Sequence, residues 1–253
     1  MTQAYLEVEG GHRLQGEVQI AGAKNSALKL MCAALLTAEP VTLDNIPDLE
    51  DVKVLCNLLR VLGATVTRPQ PGRVVIQAQQ LQPQAPFELV SKMRASVTVI
   101  GPLLGRLHQA EVALPGGCSI GARPLDITQT AFEHMGLQFT LEHGYMQVRG
   151  QPQGAAIHLR IPSVSATENV MLAAVLGHGE TTIDNAACEP EIADLAGLLS
   201  AMGAQITGAG TPHIRIQGVP QLHGAQWATM PDRIEAGTYI IASVLAAGPA
   251  GVR

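Results

Sequence analysis

The chain has 253 residues, of which 47% are hydrophobic and 15% charged, with a formal net charge of -5. That length and apolar content suit one large domain or two ordinary ones and exclude a disordered chain. The acidic balance and 3% aromatic content exclude a broad basic footprint for nucleic acid or anionic membrane and leave few platforms for stacking bases.

The start, 1–7, has neither a basic region nor an apolar one, so no secretory signal is read there. The longest apolar runs, such as 239–247, fall well short of the roughly 18 residues that span a bilayer. Four cysteines without paired spacing make neither a disulfide scaffold nor a zinc site. A soluble protein in a reducing, cytoplasmic setting is expected.

In chain order, an apolar helix is predicted at 27–36, a strand at 41–43 and a second helix that stops at Gly63. Two short strands follow, Thr65-Val66-Thr67 and Val74-Val75-Ile76, joined by a turn. The stretch Ala33-Ala34-Leu35-Leu36, Val41-Thr42-Leu43-Asp44-Asn45, Leu62-Gly63-Ala64 then recurs without a gap. There it reads Ala173-Ala174-Val175-Leu176, Thr181-Thr182-Ile183-Asp184-Asn185, Met202-Gly203-Ala204. A weaker copy lies between them, through Pro102-Leu103-Leu104, Glu111-Val112-Ala113-Leu114 and His134-Met135-Gly136. The result is a set of repeated units of about 70 residues.

The first helix of each unit is apolar nearly all round, and such a helix is buried on every face. Helices inside and sheets outside follow, the reverse of an ordinary barrel. A fourth unit begins at Ile241-Ala242-Ser243-Val244-Leu245, where its exposed apolar helix is an association hazard. Its sheet does not follow, so a C-terminally truncated chain is expected.

Three clusters could carry chemistry. Gly22-Ala23-Lys24-Asn25-Ser26 leads into the first buried helix. Ser26 or Asn25 could cap it, and its free N–H groups beside Lys24 favour an anion. An ordinary N-cap beside a surface lysine explains the same residues. Lys92-Met93-Arg94-Ala95-Ser96 opens the second unit's helix, and Arg94 is either a bidentate anion ligand or a surface arginine.

The loop 115–126 puts Cys118 after two glycines and five residues before Arg123. Exposed amides and a cation lower a thiol pKa, although spacing alone leaves Cys118 between reactive and inert. Cys32 and Cys56 fall among apolar helix positions and read as core, and Cys188 opens a loop. Ser163 and its neighbours open the third unit's helix and could do no more than cap it. All these helix starts are equivalent points of one repeat, so they should converge on one side.

Four motifs resemble a known family: Gly-Ala-Lys-Asn at 22–25, Met-Arg-Ala-Ser at 93–96, Pro-Gly-Gly-Cys-Ser-Ile-Gly-Ala-Arg-Pro-Leu-Asp at 115–126 and Pro-Asp-Arg-Ile-Glu-Ala-Gly-Thr at 231–238. They are similar to the enolpyruvyl transferases, specifically the UDP-N-acetylglucosamine 1-carboxyvinyltransferases. The sister 5-enolpyruvylshikimate-3-phosphate synthases share the fold but not the cysteine loop.

The resemblance implies an α/β fold, an inside-out barrel of two three-repeat domains. Residues 22–230 would form one domain, and 1–21 with 231–253 would belong to the other. It implies transfer of the enolpyruvyl group of phosphoenolpyruvate to the 3′-hydroxyl of UDP-N-acetylglucosamine in peptidoglycan synthesis, without metal or cofactor. Cys118 would protonate the enol carbon, form a covalent adduct and be the fosfomycin target. Lys24 and Asn25 would bind phosphoenolpyruvate, with Arg94 and Arg123 completing the anion cradle. Arg123, Pro124, Leu125, Asp126 and Ile127 would border the nucleotide-sugar, and Ser163 and Val164 would contact it.

Two departures stand out. Ser165 replaces a usual glycine, which would weaken nucleotide-sugar binding if the backbone there needs a positive φ or a close approach of the ligand. The aspartate base and further arginines of the second domain have no counterpart, so little turnover is expected from this chain alone. The alternative is a natural short form that binds a nucleotide-sugar or a partner without catalysis.

Overall fold

The computed structural model describes residues 16–91, 93–114 and 126–245, together with 5 and 7–9, and only the backbone of Arg94. The first unit runs α1 (Lys24–Ala33), β1 (Val41–Asp44), α2 (Glu50–Val61), β2 (Thr65–Gln70) and β3 (Arg73–Gln77). The second runs β4 (Gln84–Ala85), α3 (Phe87–Val90), a 3-10 helix (Arg94–Val99), α4 (Ile100–Leu107), β5 (Gln109–Ala113), α5 (Asp126–His134), β6 (Gln138–Glu142) and β7 (Tyr145–Arg149). The third runs β8 (Ala156–His158), α6 (Val164–Ala174), β9 (Glu180–Asp184), α7 (Pro190–Ala201), β10 (Gln205–Thr207) and β11 (His213–Gln217). β12 (Gln226–Ala228) and α8 (Arg233–Leu245) follow.

The helices lie inside and the sheets outside. Leu30, Met31, Cys32 and Ala33 of α1, Leu103 and Leu104 of α4, and Val170 to Ala173 of α6 are all buried. Each fully buried Leu or Met side chain contributes about 1.5–3 kcal/mol. Where α4 crosses α6, a Cβ on Gly101 would stand 2.7 Å from Leu172 Cβ, so only glycine permits this approach. Each sheet turns one face inward: Val74 and Ile76, Met146 and Val148, and Ile214 and Ile216 are buried at alternate strand positions. Gly63, Gly136 and Gly203 terminate the second helices with φ of 99°, 76° and 102°, as their positions predict.

Among the described residues there are three four-stranded sheets, ordered β12-β1-β3-β2, β4-β5-β7-β6 and β8-β9-β11-β10. The sequence predicts three strands in each. The fourth is a two- or three-residue parallel edge (β4, β8 or β12), too short to leave a periodic signal. In the second and third sheets this edge comes from the same unit. In the first it comes from β12, paired Thr42 with Gln226 and Leu43 with Trp227, so the end of the third unit closes onto the first.

Asp194 of α7 clamps that closure. Its carboxylate accepts from Ser26 Oγ at 2.5 Å, Trp227 Nε1 at 2.8 Å and the Met230 N–H at 3.2 Å. Beside it the two chain segments bridge, with Ala23 N–H donating to the Met230 carbonyl (2.7 Å) and Asp232 N–H to that of Ala21 (2.8 Å). No described helix is long and apolar enough to cross a membrane.

Asp194→Ala removes one acceptor shared by three donors from two distant segments. We expect a loss of roughly 3 kcal/mol, given 1.5–3 kcal/mol for each charged hydrogen bond and partial relief by water. Urea denaturation should show a lower midpoint at unchanged slope; an unshifted midpoint contradicts the clamp.

Candidate functional site

α1, α6 and the 3-10 helix leading into α4 begin at the same end of the barrel. Asn25 and Lys29 of α1, Ala95 and Thr98 of the 3-10 helix, and Val164 and Glu168 of α6 line one cavity of about 280 Å³. The predicted convergence of equivalent helix starts is therefore present. Helix N-termini present unpaired N–H groups and the positive end of the dipole, which suits an anion.

A larger cavity of about 870 Å³ lies at the other end, against Leu36, Gly105, Arg106, Leu176 and Gly177. These are the C-terminal ends of the same buried helices, where carbonyls concentrate negative charge. Arg106 already serves that end, donating to the carbonyls of Leu35 (3.0 Å) and Ala78 (3.3 Å). For an anionic ligand, size is outweighed by sign, and the smaller cavity is the candidate.

The expected site residues fall into three groups. Lys24 is half-exposed with Nζ 3.1 Å from Asp51, while Asn25 and Val164 line the cavity. Arg94 opens the 3-10 helix at the same end. Ser163 caps α6, its Oγ accepting from the Ala166 N–H at 3.3 Å. Asp126 opens α5 but is exposed and paired with Arg160 at 2.5 Å, and Ile127 has its side chain buried in the core. Cys118, Arg123, Pro124 and Leu125 lie outside the described residues.

Two expectations are corrected. Neither Ser26 nor Asn25 caps α1; Ser26 turns away to Asp194, and the Lys24 N–H is taken by Asp232 Oδ2 at 3.2 Å. Asp232 also accepts from the Ile234 N–H at 2.8 Å, so one carboxylate caps the starts of α1 and α8 together. Of the two grounds for concern over Ser165, the positive φ does not arise. Ser165 lies in the first turn of α6 with right-handed helical backbone and is not among the positive-φ residues.

The sequence reading missed two charge pairs. Lys29 Nζ lies 2.5 Å from Glu168 Oε2, with the two side chains 12% and 1% exposed. Arg233 Nε donates to both Glu191 oxygens, at 2.9 and 3.3 Å, and Glu191 is 4% exposed. A signal existed: Glu168 is the single charge of α6 and Lys29 lies within the apolar stretch of α1, and such charges are rarely buried unless paired. Burial pushes the Glu168 carboxyl above its ordinary value, and Lys29 opposes that rise.

Burial pushes the Cys32 thiol up to about 12, and the Cys56 thiol is raised for the same reason. Both are inert core residues, as their positions predict, whereas Cys188 is exposed. Among the described residues no cluster of His, Cys, Asp or Glu could hold a metal.

The EPSP synthase family (3-phosphoshikimate 1-carboxyvinyltransferase) matches residues 8–252. The chain belongs to this family. It is 49% identical over 244 residues to a UDP-N-acetylglucosamine 1-carboxyvinyltransferase of Nitratidesulfovibrio vulgaris, covering 96% of this chain and 58% of that protein. A protein of the same name from Gloeobacter violaceus is 47% identical over 247 residues, covering 97% and 54%. The chain thus spans little more than half the length of these relatives.

Among solved structures, the enolpyruvyl transferase NikO from Streptomyces tendae superposes with a TM-score of 0.81 at 25% identity, over 92% of this chain and 56% of that one. EPSP synthase from Acinetobacter baumannii superposes at 0.69 with 20% identity, over 92% and 53%, a likeness of fold. The inside-out α/β fold of the family is therefore the fold of this chain.

Lys29→Met leaves Glu168 buried without its counter-charge. We expect a loss of about 3–5 kcal/mol at neutral pH. The uncompensated native carboxyl binds its proton more tightly than the unfolded one. Stability is therefore retained at acid pH and falls as pH rises from the ordinary glutamate value through the raised native value. Thermal unfolding across pH 4 to 8 checks this; a deficit independent of pH contradicts it.

Proposed function

We propose that this chain carries the substrate-binding face of a UDP-N-acetylglucosamine 1-carboxyvinyltransferase acting in the cytoplasm in peptidoglycan synthesis. The observation that carries the reading is the convergence of three buried-helix N-termini, with Asn25, on one cavity. Relatives of that name, 47–49% identical over nearly the whole chain, support the substrate assignment.

In this reading phosphoenolpyruvate lies at the helix starts, its carboxylate and phosphate held by Lys24, Asn25, Arg94 and Arg123. The 3′-hydroxyl of the nucleotide-sugar adds to the enol carbon bearing phosphate, giving its proton to a base of the second domain, while the Cys118 thiol delivers a proton to the methylene carbon and is left as thiolate. The tetrahedral adduct then loses phosphate, and the Cys118 thiolate takes back a methyl proton, which restores the double bond in the enolpyruvyl ether. Ser163, Val164 and the segment from Arg123 to Ile127 border the nucleotide-sugar. Asp126 and Ile127 serve through the backbone at the start of α5, since one side chain pairs with Arg160 and the other is in the core.

Residues 22–230 form one three-repeat domain in this proposal, and 1–21 with 231–253 belong to a second. The paired crossing of Gly22 with Pro231 suits two linkers between domains. The apolar side chains of α8, among them Ile240, Ile241, Val244 and Leu245, are exposed and suit burial in that second domain. Enolpyruvyl chemistry needs a closed, dry cleft, so residues 1–253 alone bind ligands without appreciable turnover.

The test is alkylation by fosfomycin, followed by intact mass and peptide mapping. We expect a single adduct on Cys118, faster with UDP-N-acetylglucosamine present and absent in Cys118→Ser. Labelling that persists in Cys118→Ser, at exposed Cys188 for example, removes Cys118 from its role. Binding of the nucleotide-sugar without any Cys118 labelling favours the binding-only form.

A further inference from the structure

The Lys29–Glu168 pair leaves one oxygen over. Glu168 is 1% exposed and lines the cavity at the helix starts, and Lys29 engages only Oε2. Oε1 is buried and has no hydrogen-bond partner among the described residues. An orphaned carboxylate oxygen is costly, because desolvation is not repaid until a donor arrives. Two nearby donors are engaged elsewhere. Arg233 Nε is held by Glu191, and the Asn169 amide donates to the Ser165 carbonyl at 3.0 Å.

The charge around the orphan selects what can satisfy it. On this side of the cavity Glu168, Glu189 and Glu191 stand against Lys29 and Arg233, three carboxylates to two cations, and the surplus negative charge disfavours an anion directly beside Glu168 while the helix N-termini favour one. Phosphoenolpyruvate at neutral pH is ionised at carboxylate and phosphate and has almost no donor to offer. A nucleotide-sugar has hydroxyls and an acetamido N–H on an uncharged ring, and a cavity of about 280 Å³ is large enough for a sugar ring.

We propose that Glu168 Oε1 accepts a hydrogen bond from a hydroxyl or amide N–H of the sugar and so separates the two ligands, admitting the donor-bearing one and repelling the ionised one from this end of the site. Lys29 is the positioning residue: it fixes the Glu168 rotamer through Oε2 and leaves Oε1 for the ligand. The inference rests on the functional reading above and adds a specificity contact to it.

The experiment is calorimetric titration of the 253-residue chain with UDP-N-acetylglucosamine and, separately, with phosphoenolpyruvate, in wild type and Glu168→Gln. We expect the variant to bind the nucleotide-sugar roughly tenfold more weakly or worse, the loss of one charged hydrogen bond. Its affinity for phosphoenolpyruvate should be unchanged or higher, because a nearby negative charge is gone. Unchanged nucleotide-sugar affinity overturns the proposal and assigns the oxygen to a buried water. Equal losses for both ligands also overturn it and leave the pair a purely structural tie. If Glu168→Gln does not fold, Glu168→Asp is read by the same ratio, since it keeps the charge but withdraws the oxygen by one methylene. Wild type that binds phosphoenolpyruvate and not the nucleotide-sugar refutes the functional reading itself.

Discussion

The molecule is organised around three helices with no polar face. α1, α4 and α6 can satisfy their apolar surface only by packing against one another and against sheets on every outer side. Because each begins its unit in the same sense, their N-termini gather at one end and their C-termini at the other. The polarity of the domain, with an anion-favouring end and a carbonyl-rich end, is thus a consequence of core packing. Both cavities inherit their character from it.

That core would leave the first sheet one strand short without β12. The closure depends on carboxylates acting at long range: Asp194 draws Ser26, Trp227 and the backbone at Met230 together, and Asp232 caps α1 and α8 at once. The position of Lys24 therefore depends on residues more than 200 positions away in the chain. Asp232 thus ties the start of α8 to the first turn of α1.

The charges inside the candidate site are expensive. A buried pair such as Lys29–Glu168 stabilises little relative to an apolar replacement, and it is damaging when broken. Its presence in otherwise apolar helices makes better sense as geometry: it sets the spacing between two helix starts that face the same cavity. The Arg233–Glu191 pair does the same between α8 and α7.

The repeat, the buried helices, the glycines at 63, 136 and 203, and the inert cysteines at 32 and 56 were all legible in the sequence, because each follows from local pattern. The order of sheets was legible only in part, since edge strands of two or three residues carry no period. The true caps of α1 and the partners of Lys29 and Arg233 were not legible. Each joins residues separated by between 42 and 208 positions, and chain pattern says nothing about which distant groups meet. Sequence by itself determined the units, their buried faces and the family. Tertiary packing alone decided which helix ends share a cavity, which charges are spent on one another and which oxygen remains free, because those are matters of proximity in space.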